Sequence, residues 1–150
     1  MYAILNEKGI SREDLIATAM ELFVPHPGIE TQEIAEQIIG KILDSTLRDP
    51  NVNSLLIAAF ELERLAVEGK IPGISREDFE RDEVFILADE IIGMAIAEYI
   101  GGTRAKFEFV RFDMKKPGVL KKLEAFADDA IAGLIAGASS LMYSEAADKI

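Results

Sequence analysis

Acids set among apolar residues are the first feature of this chain with chemical content. Asp89-Glu-Ile-Ile-Gly93 and Asp129-Ala-Ile-Ala-Gly133 share a D-x-I-x-G pattern inside two long apolar segments. On a helix, residues three and four apart share a face. Asp89 then joins Phe85, Ile86, Ile92, Gly93 and Ile96, and Asp129 joins Ala125, Phe126, Ala132, Gly133 and Ala136. A carboxylate on such a face is costly to bury unless it is paired, hydrogen-bonded or bound to a metal. The glycine one turn on removes a side chain and lets another group come close. Each Asp also has an acidic neighbour, Glu90 or Asp128, pointing about 100° around the helix.

Four acids converging from two helices would repel one another without a cation. Hard oxygen ligands of this kind suit Mg²⁺ or Mn²⁺, with water and a substrate phosphate completing the shell. A third piece, Phe112-Asp-Met-Lys-Lys-Pro-Gly118, closes on a Pro-Gly turn that must end any helix. There Asp113 is a further candidate ligand, and Lys116 is a compact cation able to hold a phosphate.

Each piece also has a reading without chemistry. Asp89-Glu90 fits the edge of an apolar stripe facing water, and the Lys pair fits a plain helix exit near the negative end of the dipole. Gly133-x-x-x-Gly137 fits a close helix-packing face, which would make the chain a helical dimerisation module. His26 lies in a Pro-flanked turn, where an exposed or capping role is expected. Glu63 is within conceivable reach of the acids, but a solvated helix face suits it better.

Composition narrows the field. The chain has 150 residues, 27 acids against 16 bases, a net charge of −11, one His and no Cys. A phosphate-backbone binder needs excess Lys and Arg, so a nucleic-acid partner is not expected. Without Cys there is no disulfide, zinc-thiolate or thiol chemistry. The N-terminus meets charges too early for a signal peptide. The least charged stretch, Ala130 to Tyr143, is shorter than the roughly 20 residues that span a bilayer. A cytoplasmic protein without a transmembrane segment is the expectation. P-loop, nucleophile-elbow, H-E-x-x-H and dinucleotide-glycine patterns are all missing from the sequence.

The elements that must position the acids are helical. Ser11 with Asp14 is a capping-box start, followed by an apolar stripe that ends at Val24-Pro-His-Pro-Gly28. Thr31 caps a second helix, and Asp49-Pro50 starts a third that Gly69 ends. Ser75 opens a short acidic helix, and a long apolar helix is expected from about Asp82 to Ile100, closed by Gly101-Gly102. The last helix runs from about Leu123 toward the C-terminus. Gly9-Ile-Ser-Arg-Glu-Asp14 recurs as Gly73-Ile-Ser-Arg-Glu-Asp78, and each copy reads as a helix start. Lys106 to Phe112 alternates as a strand would; a helical spacing through Ala105, Phe109 and Phe112 is also available and is preferred, with a short edge strand as the alternative. The expected architecture is an all-α, single-domain bundle of about six helices around a central apolar helix.

Taken in order, Asp89-Glu90-x-x-Gly93-Met94, Phe112-Asp113-x-x-Lys116-Pro117 and Asp128-Asp129-x-x-Ala132-Gly133 resemble the phosphatidylglycerophosphatase A family. The resemblance is closer to its soluble branch, which includes archaeal α-ribazole phosphatases of cobalamin biosynthesis, and takes in the His26-Pro27 turn, Glu63 and Ala138-Ser139-Ser140. It implies a metal-dependent phosphomonoesterase with Mg²⁺ as the expected ion and helix over 107–113. It carries over to Asp89, Glu90, Asp113, Lys116, Asp128 and Asp129. The implied reading gives Asp89, Glu90 and Asp129 the metal, makes Asp113 and Asp128 further ligands or water-orienting groups, and puts Lys116 on the phosphate. The lipid phosphatases of the family have transmembrane helices, so a small soluble ester such as α-ribazole 5′-phosphate is favoured over phosphatidylglycerophosphate. A homodimer is the expected assembly.

Overall fold

The computed structural model describes residues 1–81 and 85–148. Eight α-helices and one short 3-10 helix are found among the described residues. They are α1 (Tyr2–Glu7), α2 (Arg12–Glu21), α3 (Gln32–Thr46), α4 (Pro50–Val67), α5 (Arg76–Glu80), α6 (Ala88–Gly101), α7 (Ala105–Lys115), the 3-10 helix Gly118–Lys122 and α8 (Ala125–Ala147). The all-α expectation holds. The short helix expected at Ser75 is found at Arg76–Glu80, and a helix that was not expected, Tyr2–Glu7, is anchored by buried Leu5 and the Tyr2–Asp44 hydrogen bond.

The local starts are as the residues dictate. Ser11 and Ser75 both complete capping boxes with Asp14 and Asp78. The glycine two residues before each Ser has positive φ, 76° at Gly9 and 86° at Gly73. The repeated hexapeptide is thus one helix-start device used twice. Thr31 and Asp49 cap α3 and α4 through their side chains.

Residues 105–115 are helical despite their alternation. The reason is packing: Ala105, Phe109 and Phe112 are buried on one face of α7, and no strand lies beside them among the described residues. The long helix expected from Asp82 begins only at Ala88. Residues 82–84 lie outside the described residues, and 85–87 are not helical. Ile86 is drawn into a satellite apolar cluster with Ala66, Phe79 and Phe126, while Phe85 is exposed. Phe85 therefore does not share a face with Asp89.

The central element is α8, which contacts α2, α3, α4, α6 and α7. Every residue from Phe126 to Ser140 is buried. Its 23 residues are long and apolar enough to cross a membrane, longer than the uncharged stretch read in the sequence, but 89% of its most apolar window is buried inside the bundle. That is how a core helix passes the same test.

α6 and α8 run parallel. Gly93 faces Asp129 and Gly133 at one end, and Gly101 faces Gly137 and Ser140 further along. A Cβ on Gly93 would come 2.6 Å from the Asp129 carbonyl oxygen, and one on Gly133 would come 3.0 Å from Gly93 Cα. Such distances leave no room for a side chain at either position. The Gly133–Gly137 face is therefore consumed by α6 within the chain, as Gly137 also meets Ile100 and Ala97. It is not a surface on which a dimer can form.

The N-terminal helix is tied down by a polar cluster. Arg12 grips Asp44 with two hydrogen bonds of 2.8 Å, and the Tyr2 hydroxyl donates to Asp44 at 2.8 Å. Chiefly through the Arg12 hydrogen bonds, the Asp44 carboxyl is held down to about 2. An unfolded Asp titrates near 3.9, so the stabilisation is present above that pH and is lost as pH falls toward 2. Wild-type protein should lose melting temperature across this window, and Asp44→Asn should flatten the slope there. Identical pH profiles for the two proteins would show that the cluster contributes nothing.

Candidate active site

The parallel pairing of α6 and α8 brings two helix N-termini to one end of the bundle. Carboxylates are favoured there, because the first turns of a helix carry partial positive charge. Asp89 is the second residue of α6, and its Oδ1 accepts the Glu90 N–H at 2.8 Å. Asp128 and Asp129 lie at the start of α8. All three are buried, at 4%, 5% and 3% exposure respectively. α7 packs against both helices, and its last turn carries Asp113 to the same end.

Oxygens of Asp113, Asp128 and Asp129 lie within 4.8 Å of one another. Asp89 is close enough for its charge to act on Asp129. Glu90 is different. It is exposed on the outer side of α6 and is not among the carboxylates that converge. The two motifs point to Asp89, Glu90 and Asp129; among the described residues Asp113, Asp128 and Asp129 lie together, and Glu90 is exposed. The physical reason is that α8 is buried all round while α6 has a solvent side. The position about 100° from the motif Asp is inside the protein on one helix and outside on the other.

Lys116 sits over this cluster. Its Nζ donates to Asp113 Oδ1 at 2.7 Å and to Asp128 Oδ2, and reaches Asp129 Oδ1 at 3.5 Å. Burial works against the ammonium, but its hydrogen bonds to Asp113 and Asp128 outweigh that, so its pKa is raised. Asp129 is pushed well above the usual carboxylate range. Burial is the main cause, and the charge of Asp113 comes next; Lys116 pulls the other way, while Asp89 and Asp128 add to the rise. The Lys116 ammonium is shared by the carboxylates of Asp113, Asp128 and Asp129.

Lys116 reaches the acids because its backbone turns left-handed, at φ 46° and ψ 52°. It is the one non-glycine residue with positive φ among the described residues. The loop behind it is pinned on α2. Val119 N–H donates to Thr18 Oγ1 at 3.0 Å, and that hydroxyl donates to the Asp14 carbonyl at 2.6 Å. Gly118 packs so closely on Thr18 that a Cβ there would lie 2.9 Å from Thr18 Cβ.

Two supporting residues were not legible as such in the sequence. Phe109 covers Gly93, where an added Cβ would lie 2.8 Å from its ring. Glu63 is half-buried rather than solvated, and its Oε2 accepts the Ala127 N–H at 2.9 Å. It caps α8 from another helix and so fixes the turn that carries Asp128 and Asp129. Burial pushes its carboxyl up, and that hydrogen bond draws it back down in part. His26 keeps the structural role expected of it, with Nδ1 2.8 Å from the Pro27 carbonyl and its ring against Tyr143.

The donors fit a hard divalent cation. They are carboxylate oxygens only, drawn from two helices, buried or half-buried and already mutually close. Mg²⁺ and Mn²⁺ are the ions such a set suits.

Buried carboxylates and a lysine thus converge where the N-terminal ends of α6 and α8 meet the C-terminal end of α7. A family model described as Phosphatidylglycerophosphatase A matches residues 15–144. The chain belongs to that family, and membership implies phosphatase activity of the phosphoric monoester class. An uncharacterized protein of Methanocaldococcus jannaschii is 38% identical over 118 residues, covering 76% of this chain and 90% of that one. Two solved structures share the fold. The low temperature requirement C protein of Listeria monocytogenes superposes with a TM-score of 0.79 at 24% identity, over 96% of this chain and 92% of the other. Protein ypjQ of Bacillus subtilis gives 0.80 at 22% identity, over 99% and 94%.

Proposed function

We propose that this protein is a Mg²⁺-dependent phosphomonoesterase acting on a small soluble ester, with α-ribazole 5′-phosphate as the leading substrate. The observation that carries the metal reading is the convergence of Asp113, Asp128 and Asp129 within 4.8 Å. Those three residues would hold the ion, with Asp89 beside them. When bound, Mg²⁺ (or Mn²⁺) would neutralise phosphate oxygens and lower the pKa of a water.

The chain's own residues do the positioning. Asp113, Asp128 and Asp129 come from two rigid helices, so the site is set without loop ordering. Lys116, on a flexible stem, supplies a point charge for a phosphate oxygen and stabilises charge on it as the ester bond breaks. The family description, Phosphatidylglycerophosphatase A, favours the runner-up, phosphatidylglycerophosphate at a membrane surface.

Phosphate release measured with both substrates separates the readings. Release from α-ribazole 5′-phosphate should require Mg²⁺, stop on chelation, and exceed release from phosphatidylglycerophosphate in vesicles. Release that persists in chelator would sink the metal reading, and a preference for the vesicle substrate would overturn the soluble one.

A further inference from the structure

We propose that Lys116 is a tethered counter-cation that occupies the acid cluster until a divalent ion displaces it, so that this residue sets the metal affinity of the site. The inference rests on the metal reading above and deepens it. The Lys116 ammonium is bound by Asp113 and Asp128 and reaches Asp129. These are the same three carboxylates that lie close enough to share an ion. The ammonium's hydrogen bonds use Asp113 Oδ1 and Asp128 Oδ2, so a divalent cation that takes those oxygens must compete with it.

The backbone supplies independent support. Lys116 is held left-handed at φ 46°, a conformation that disfavours any residue with a Cβ. A glycine would be at ease there, and Gly118 stands two residues on. Strain of this kind persists only where the surroundings over-determine it. Here the anchors are the Thr18 contact behind the loop and the carboxylates in front of it. The outcome is an ammonium delivered onto Asp113 and Asp128 and within reach of Asp129. The Lys116 side chain keeps 36% of its surface exposed, and a four-carbon stem can swing. When an ion enters, the released Nζ is free to take a phosphate oxygen, so one side chain stabilises the metal-free protein and then meets the substrate.

The apparent metal affinity is the intrinsic one multiplied by the fraction of molecules in which Lys116 has left the acids. Removing the ammonium should therefore tighten binding. Mn²⁺ titrations followed by calorimetry and by thermal melting, on wild type and Lys116→Met, read this directly. Lys116→Gly serves where Met at a left-handed position prevents folding, since it removes the charge and relieves the backbone. Mn²⁺ should bind the variant about tenfold more tightly than wild type, as expected when a competing state is removed. The metal-free variant should also melt below wild type and be restored by Mn²⁺. Binding in the variant equal to or weaker than in wild type overturns the proposal. Failure of Mn²⁺ to bind either protein overturns the metal reading itself, and the role of Lys116 with it.

Discussion

Asp129→Asn should lower metal-dependent phosphate release at least about a hundredfold, the scale on which positioned charge acts in a buried site. The substitution keeps the shape of the side chain and removes its charge, so packing against α6 is preserved. Asp129 is 3% exposed, sits among Ala132, Gly133 and Ala136, and faces the other carboxylates. Asp113→Asn, Asp89→Asn and Lys116→Ala should fall in the same range, because Asp113 and Lys116 touch the cluster directly and Asp89 contributes charge beside it. Glu90→Gln is the informative contrast. Its side chain is exposed on the outside of α6, and only a small loss is expected. Thermal melting run on each variant separates loss of chemistry from loss of fold. Activity near wild type in Asp129→Asn would remove this cluster from the reaction. A large loss in Glu90→Gln would restore the wider ligand set suggested by the two motifs.

Gly133→Ala should destabilise the protein by about 3 kcal/mol, the upper end for overpacking a tight interior contact. For a chain of this size that corresponds to a fall in Tm of roughly 6–12 °C. The new methyl would lie against Gly93, 2.9 Å from its carbonyl carbon and 3.0 Å from its Cα. Both neighbours are helix backbone, which cannot move aside without parting α6 from α8. Parting them also displaces Asp129 relative to Asp89, so activity should fall further than the lost stability alone accounts for at assay temperature. Gly93→Ala meets the Asp129 carbonyl at 2.6 Å and should behave alike. Unchanged melting in both variants would mean that the helices have slack at this crossing, and that the glycines serve something other than close approach.

Much of this was visible in the residues. Both Ser-Arg-Glu-Asp starts are capping boxes, Asp49-Pro50 opens α4, and Gly101-Gly102 closes α6. These features depend on neighbours within about four positions, which is the range over which capping and turn chemistry act. Lys106 to Phe112 was harder, because its alternation favours a strand. Burial of Phe109 and Phe112 against α6 and α8 settled it. The start of α6 was misplaced because Ile86 leaves the apolar stripe for a cluster with Phe79 and with Phe126, which is distant in the chain.

The pairing of the two D-x-I-x-G motifs was also readable, since a carboxylate and a glycine one turn apart need a partner of equal closeness. That Gly93 and Gly133 face each other follows from it. Which acids complete the cluster does not. Asp128 is inside and Glu90 outside because α8 is enclosed by other helices while α6 has a solvent face, a difference that no spacing within either helix encodes. Likewise Lys-Lys-Pro-Gly announced a helix end and a cation. The direction of that cation depends on a left-handed Lys116 and a loop pinned by Thr18, a residue 101 positions from Val119 in the chain. Short-range patterns thus specify the helices and nominate the acids. The distances among Asp113, Asp128, Asp129 and Lys116 arise only when α6, α7 and α8 pack, because the closeness of charges from separate helices is a property of the packed bundle.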